Sequence, residues 1–140
     1  MINWKIKKVN KAPLKETIRF KRIDPDALLP HYRENDGLIC FYACGDHILE
    51  SSCAYSIPIG FECEIPEGYV LEITSVRNSK KLVMPFSAEF KTKYDTDREP
   101  ELKIHMAQRA SKFYQTVIKH GELIAVGVLK KMEKPDIVEV

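Results

Sequence analysis

The densest group of hydrogen-bond donors in the sequence lies at residues 77–81, which read Arg-Asn-Ser-Lys-Lys. A guanidinium, an amide, a hydroxyl and two ammonium groups so close together could bind a chain of phosphates. An exposed turn would have a similar composition, because these residue types also favour the surface. The segment is therefore a candidate phosphate site whose assignment depends on its structural context.

A second group holds four acidic residues at alternate positions, namely Asp95, Asp97, Glu99 and Glu101. Carboxylates could gather a divalent cation, although acidic loops are more commonly only hydrated. The four histidines are spread along the sequence and belong to no recognisable nucleophile or metal motif. His105 alternates with Ile104 and Met106, which predicts an exposed strand position. We predict no metal ligands.

The pattern of cysteines bears on whether the protein functions in a reducing or an oxidising compartment. The four cysteines are Cys40, Cys44, Cys53 and Cys63. They form no Cys-x-x-Cys pair and no standard zinc spacing. The sequence opens without an apolar signal stretch, and no window approaches the length of a membrane span. We expect free, mostly buried thiols in a reducing cytoplasm.

The overall charge balance argues against partners that a protein binds through a large excess of positive charge. The chain has 140 residues, 22 Lys and Arg, 20 Asp and Glu, and a net charge of +2. This balance argues against a nucleic-acid coat and a polybasic membrane anchor. Eight basic residues and one acid lie within residues 1–22. That arm could contact phosphates or an acidic neighbour, or it could be an edge strand protected by lysines.

The spacing of Pro and Gly leaves room for short strands rather than long helices. Strands are predicted at residues 17–22, 38–43, 56–64, 69–76, 101–107, 115–118 and 123–130. Residues 61–65 and 101–106 alternate apolar and polar side chains, as half-buried antiparallel strands do. Ile-Pro-Glu-Gly-Tyr at 65–69 predicts a hairpin, and residues 24–28 predict one helical turn with Asp24 as N-cap. These patterns favour an all-β sandwich, jelly roll or barrel.

Three segments resemble the homotrimeric dUTPase family. Residues 20–30 are similar to its opening strand and first loop, residues 57–69 to its central segment, and residues 129–140 to the ending found in Gram-positive bacteria and their phages. The resemblance covers about residues 18–140. It implies a jelly-roll-like β-barrel that trimerises, with Mg²⁺-dependent hydrolysis of dUTP to dUMP and pyrophosphate. The expected organisation is one domain, 1–140, with a basic extension at 1–17 and the barrel at 18–140.

The first two motifs of that family are altered here. The first normally reads Ala-Gly-x-Asp-Leu, but residues 36–40 read Asp-Gly-Leu-Ile-Cys, so Ile39 replaces a metal-linked carboxylate. The second normally reads Pro-Arg-Ser, and residues 76–78 read Val-Arg-Asn, with Ser79 next. Phosphate binding through Arg77 could survive this change.

The third motif normally contains an aspartate that orients water and a tyrosine that stacks beneath deoxyribose. Residues 92–101 keep the aspartate as Asp95, whereas Arg98 takes the place of the tyrosine. Thr92 and Pro100 replace glycines, so the hairpin cannot keep its shape.

The fourth and fifth motifs have also lost groups that would contact phosphate. In the fourth, residues 121–126 read Gly-Glu-Leu-Ile-Ala-Val in place of Gly-Asp-Arg-Ile-Ala-Gln, which loses an arginine and a glutamine. The glycine-rich fifth motif is absent. Several lost contacts of about 1–3 kcal/mol each would reduce dUTP turnover by orders of magnitude.

We therefore expect a catalytically degenerate dUTPase-like trimer that binds or sequesters a nucleotide-type ligand, with a regulatory or counter-defence role if phage-encoded. One alternative is an active nucleotide diphosphatase that uses Asp95 and Mg²⁺; otherwise no cofactor is expected. Another alternative is a structural or regulatory trimer whose pockets are filled by Ile39, Leu123 and Val126, with a protein partner. The expected ligand-binding residues are Arg77, Asn78, Ser79, Lys80, Tyr94 and Arg98. Membranes and bulk nucleic acid are not expected partners.

Overall fold

The computed structural model describes residues 16–50, 54–76, 83–85, 89–108 and 116–140. This part of the chain forms eleven strands and one short helix. They are β1 (Arg19–Arg22), β2 (His31–Tyr32), β3 (Ile39–Tyr42), β4 (His47–Leu49), β5 (Ala54–Glu64), β6 (Tyr69–Ser75), β7 (Val83–Pro85), β8 (Glu89–Thr92), α1 (Lys93–Arg98), β9 (Glu101–Gln108), β10 (Thr116–Ile118) and β11 (Leu123–Lys131).

The strands form two larger sheets and one strand pair, and every pairing is antiparallel. One sheet has the order β1-β5-β9-β7, the other has the order β2-β3-β11-β6-β8, and β10 pairs with β4. Most neighbouring strands in a sheet are far apart in sequence, so the sheets are held together by long-range pairing. The all-β prediction is confirmed.

Alternating side chains place the core where the sequence pattern predicts it. Along β9 the exposed or half-buried positions alternate with buried Leu102, Ile104 and Met106, and Phe61 and Cys63 are buried on the paired strand β5. A strand presents alternate residues to opposite faces, so each strand gives one face to the core. Phe20 on β1 meets Phe41 of the other sheet edge-on, with ring centroids 6.3 Å apart.

Three of the four cysteines lie among the described residues, and Cys40, Cys44 and Cys63 are free and buried. Burial raises the pKa of the Cys63 thiol to about 12, because the thiolate would lose its hydration in the core. The prediction of buried free thiols is confirmed for these three, and Cys53 lies outside the described residues.

All seven predicted strands are present, with ends that differ by up to two residues. The sequence did not predict β2, β4, β7, β8 or α1, which are short and lack a clear period. Among the described residues, the arm contributes the edge strand β1, where Arg19, Lys21 and Arg22 are exposed. That arrangement agrees with the edge-strand interpretation for these residues, and residues 1–15 lie outside the described part of the chain.

The predicted hairpin at residues 65–69 is wrong in its pairing. The turn exists: Tyr69 N donates to Pro66 O at 3.2 Å, and Gly68 has φ +82. However, β5 pairs with β1 and β9, whereas β6 pairs with β11 and β8. The turn therefore carries the chain from one sheet to the other. Burial of apolar residues on both strands favours facing sheets over a two-stranded ribbon.

The predicted helical turn at residues 24–28 is an isolated turn instead. Asp24 O accepts a hydrogen bond from Ala27 N at 3.2 Å, and Asp24 Oδ1 accepts one from Asp26 N at 2.8 Å. The Asp24 carboxylate accepts a hydrogen bond from a backbone N–H within the turn, as aspartate commonly does outside helices.

The turn at residues 24–27 packs against Gly60, at an irregularity in β5. Gly60 has φ +79, and its carbonyl accepts hydrogen bonds from Ile23 N and Asp24 N. A Cβ placed on Gly60 would lie 2.5 Å from Ala27 Cβ and 3.0 Å from Cys44 Sγ. Position 60 therefore needs glycine both for its backbone conformation and for space.

We predict that Gly60→Ala destabilises the protein more than Gly68→Ala does. Both glycines have positive φ, but a Cβ on Gly68 would meet no atom within 4 Å. Gly68→Ala should cost about 1 kcal/mol of unfolding free energy from its backbone conformation alone. Gly60→Ala should cost about 1–3 kcal/mol more from overpacking. Urea unfolding of both variants measures the difference, and equal losses would show that the contact with Ala27 is relieved without cost.

Candidate functional site

The connection from β8 to β9 carries the acidic residues of the third motif, and it folds as the short helix α1. Thr92 is the N-cap: its hydroxyl oxygen accepts from Asp95 N, and the Asp95 carboxylate accepts from Thr92 N at 3.0 Å. This reciprocal arrangement is a capping box, which satisfies two donors that a helix start would otherwise leave unpaired. The segment between β8 and β9 is thus a capped helical turn.

Asp95 has a structural role that the sequence did not reveal. Its Oδ2 accepts from both the backbone N–H and the hydroxyl of Thr92, each at 3.0 Å. These bonds to Thr92 lower the pKa of Asp95, with smaller help from Lys91 and Arg98. The carboxylate therefore stays ionised, and one of its oxygens is committed to holding α1.

Arg98 lies against the aromatic ring of Tyr94. Arg98 Cζ is 5.2 Å from the centroid of Tyr94, and Arg98 Nη1 donates to Tyr94 Oη at 3.2 Å. The two residues are one turn apart on α1, which brings their side chains together. Tyr94 is 66% exposed, so the pair presents an aromatic ring and a cation to solvent.

A groove of about 890 Å³ runs beside α1 and along β5 and β9, and we call it the helix groove. Its charged side chains are Glu62, Lys91, Asp95, Arg98, Glu99, Glu101 and Lys103, and Ser56 and His105 also line it. Glu62 and Glu101 are direct partners in the pairing of β5 with β9. The charged lining of the groove thus comprises four carboxylates and three cations. Sequence reasoning missed Ser56, Glu62 and Lys91 here, because only strand register brings them to the acidic segment.

The first motif forms a closed turn that is held by an ion pair. Arg33 Nε donates to Asp36 Oδ1 at 3.1 Å, and Leu38 N donates to the same oxygen at 3.1 Å. The Arg33 guanidinium lowers the pKa of Asp36, which keeps that carboxylate charged and bound within the turn. Ile39 is only 3% exposed and belongs to the core.

Ile39 also lies at a second groove, which we call the apolar groove. Its volume is about 760 Å³, and its lining includes Phe20, Leu29, Tyr32, Ile39, Tyr69 and Leu129. Asp95 and Arg98 do not line it. Within one chain, the first-motif position and the third-motif residues therefore border different grooves.

Some of the remaining predicted residues lie in the described part of the chain, and others lie outside it. Leu123 and Val126 of the fourth motif are half-buried at the start of β11, beside buried Ile124 and Ala125. The predicted ligand residues Arg77, Asn78, Ser79 and Lys80 lie outside the described residues. The structure thus brings together Tyr94, Asp95 and Arg98 among the predicted site residues.

Comparison with known proteins identifies the fold. No protein-family profile and no curated protein sequence matches the chain. A dUTPase variant of Staphylococcus bacteriophage 80alpha aligns at 19% identity over 90% of this chain and 97% of its own, with a TM-score of 0.76. A dUTPase variant from phage phi11 of S. aureus aligns at 18% identity over 89% and 96%, with a TM-score of 0.74.

A third neighbour is the 80alpha dUTPase with dUPNHPP, at 19% identity over 90% of this chain and 89% of its own, with a TM-score of 0.74. The chain therefore has the fold of these phage dUTPases. The expectation of a dUTPase-like β-barrel is confirmed.

The phi11 enzyme coordinates a structural Mg²⁺. Mg²⁺ needs several oxygen ligands in near-octahedral geometry. Asp36 is bound to Arg33, Ile39 supplies no oxygen, and Asp95 is bound to Thr92. Among the described residues, no three His, Cys, Asp or Glu side chains gather into a cation site. These residues do not fit a protein-held Mg²⁺.

Within the described ranges, no helix has the length and apolar character required to cross a membrane.

We predict that Asp95→Ala lowers the melting temperature near pH 7 by about 2–6 °C, because both bonds to Thr92 are lost. The pKa of Asp95 is depressed in the folded state, so its contribution is present above the ordinary value of 3.8 and is lost as the pH falls through the lower folded-state value. The difference in melting temperature between wild type and Asp95→Ala should therefore disappear at acid pH. Thermal unfolding from pH 2 to pH 7 measures it.

Asp97→Ala is the matched control, since Asp97 is an exposed carboxylate on the same helix. A loss of stability equal to that of Asp95→Ala, or a gap that stays constant with pH, would show that the capping box is not what Asp95 contributes.

Proposed function

We propose that the chain is a nucleotide-binding protein built on the dUTPase fold that has lost efficient dUTP hydrolysis. The single observation that carries the proposal is the commitment of the Asp95 carboxylate to Thr92 as part of a helix cap. In the family that the chain resembles, the corresponding aspartate orients the attacking water. A carboxylate that caps a helix has less freedom to place a water for in-line attack.

The surroundings of Asp95 support the same conclusion. The helix groove has four carboxylates and three cations, which oppose the entry of a triphosphate. The buried Ile39 removes a second carboxylate, and it lies at the apolar groove instead. Loss of one group would slow hydrolysis, but loss of positioning, metal ligation and charge neutralisation together removes most sources of catalysis in phosphate chemistry.

Binding can persist without these catalytic groups. The exposed ring of Tyr94 with the Arg98 guanidinium over it provides a stacking surface for a base, and such contacts are worth about 1–3 kcal/mol per base. In the proposal, the donors of residues 77–80 take the phosphates, because the sequence places a guanidinium, an amide, a hydroxyl and an ammonium group there. The base of the ligand would thus lie on the Tyr94–Arg98 pair of α1, at the border of the helix groove.

A second candidate function, an active nucleotide diphosphatase, is favoured by one observation. The lowered pKa of Asp95 keeps it ionised beside Lys91 and Arg98, so its second oxygen could still orient a water. Mg²⁺ would be needed only in this case, carried in with the nucleotide.

The proposal includes assembly and location. We infer one domain with its barrel at residues 18–140 and a basic extension at 1–17. We also infer a homotrimer that acts in the cytoplasm, the host cytoplasm if phage-encoded, with a protein as a possible further partner. Sedimentation equilibrium tests the trimer.

We predict that at least one nucleotide raises the melting temperature in a thermal-shift panel of ribonucleoside and deoxyribonucleoside phosphates and cyclic and dinucleotide signals. Ligand at 100 times its dissociation constant stabilises by about 2.7 kcal/mol, which is an easily measured shift. Tyr94→Ala should weaken that binding about 10-fold or more, whereas Phe90→Ala, another exposed ring close in sequence, should not. A panel without any shift would favour a structural trimer with filled pockets.

We predict that incubation with Mg²⁺ and each nucleoside triphosphate releases no pyrophosphate above a no-protein blank, as chromatography would show. Clear release would favour the second candidate function. In that event Asp95→Asn should abolish it, while Asp97→Asn should leave it intact. Hydrolysis that survives Asp95→Asn would show that Asp95 is not the residue that orients water.

A further inference from the structure

A serine, a histidine and a glutamate from three different strands lie in series, and the serine and the histidine line the helix groove. Ser56 Oγ is 2.7 Å from His105 Nδ1, and His105 Nε2 is 3.6 Å from Glu89 Oε2. Ser56 on β5 is the direct register partner of His105 on β9. Glu89 comes from β8 in the other sheet, so the series depends on how the two sheets meet.

The hydrogen bonds define the roles that these groups can take. In the tautomer of His105 that carries its ring proton on Nε2, Nδ1 accepts from the Ser56 hydroxyl and the Nε2 N–H faces Glu89. Glu89 is fixed in place, because its Oε1 also accepts from His105 N at 3.2 Å and its side chain is only 19% exposed. A hydroxyl, a base and an acid that orients the base form the arrangement of a nucleophilic triad.

The two ring nitrogens are used in the opposite order from the serine proteases, where Nε2 faces the hydroxyl. The direction of proton transfer is unchanged, since the base still lies between the hydroxyl and the carboxylate. The 3.6 Å separation between Nε2 and Oε2 is longer than a hydrogen bond, but catalytic contacts commonly tighten when substrate binds.

We propose that Ser56 is a nucleophile activated by His105, with Glu89 as a positioning residue, and that this end of the helix groove hydrolyses small carboxylic esters. Ser56 is exposed and accessible from the groove. The excess of carboxylates in the groove disfavours phosphate esters and other anions, and an uncharged ester meets no such repulsion. The proposal does not depend on nucleotide binding at Tyr94 and Arg98.

The reaction balances without a cofactor or oxidant. Ser56 Oγ forms a bond to the ester carbonyl carbon while its proton passes to His105 Nδ1. The ester C–O bond then breaks, and the leaving alkoxide takes that proton as an alcohol. Water next attacks the acyl-serine, gives its proton through His105 to Ser56 Oγ, and releases the carboxylic acid.

A fluorophosphonate probe with the full chain, followed by peptide mass spectrometry, tests the nucleophile directly. The expected result is an adduct on Ser56 that is absent in His105→Gln and retained in Thr74→Ala, which removes an exposed strand hydroxyl elsewhere. A protein without an adduct on Ser56, or with one that survives His105→Gln, would overturn the proposal. The wild-type result needs no variant to fold.

Hydrolysis of p-nitrophenyl acetate tests turnover. Ser56→Ala and His105→Gln should each reduce it about 10²-fold, and Thr74→Ala should leave it unchanged. Glu89→Gln should lower kcat with KM unchanged, and Glu89→Asp should recover part of the loss. Equal rates in wild type and Ser56→Ala would overturn the proposal, and this readout is separate from the nucleotide panel.

Discussion

The packing of two antiparallel sheets through the rings of Phe20, Phe41 and Phe61 is the interaction on which the rest of the structure depends. Phe20 meets Phe41 of one sheet at 6.3 Å and Phe61 of the other at 6.2 Å, both edge-on. Phe41 and Phe61 are fully buried. Burial of rings of this size contributes several kcal/mol and fixes the distance between the sheets. Glu89 belongs to one sheet and Ser56 and His105 to the other, so their meeting depends on this packing.

The same frame holds the short helix α1 between β8 and β9. Thr92 and Asp95 together satisfy the start of that helix. One oxygen of the Asp95 carboxylate is thereby engaged with Thr92. The proposed loss of hydrolysis rests on this engagement.

Chemical character is distributed unevenly between the two grooves. The helix groove is highly charged with both signs, whereas the apolar groove takes in Ile39 and exposed Leu29 and Tyr32. A phosphate-binding enzyme of this fold would concentrate positive charge where the phosphates lie. The described residues separate charge from apolar surface instead, which agrees with the proposal of a protein that binds through an exposed aromatic–guanidinium pair.

By itself the sequence determined the all-β class and seven of the eleven described strands, because an alternating pattern such as that of residues 101–106 specifies one buried face locally. It also determined that Ile39 supplies no oxygen. The capping box of Thr92 and Asp95 is likewise a local feature, since the two residues are three positions apart. Only the tertiary structure decided that the turn at 65–69 links two sheets and that Ser56, His105 and Glu89 meet. Those outcomes depend on strand partners and register, which arise from contacts between residues distant in sequence.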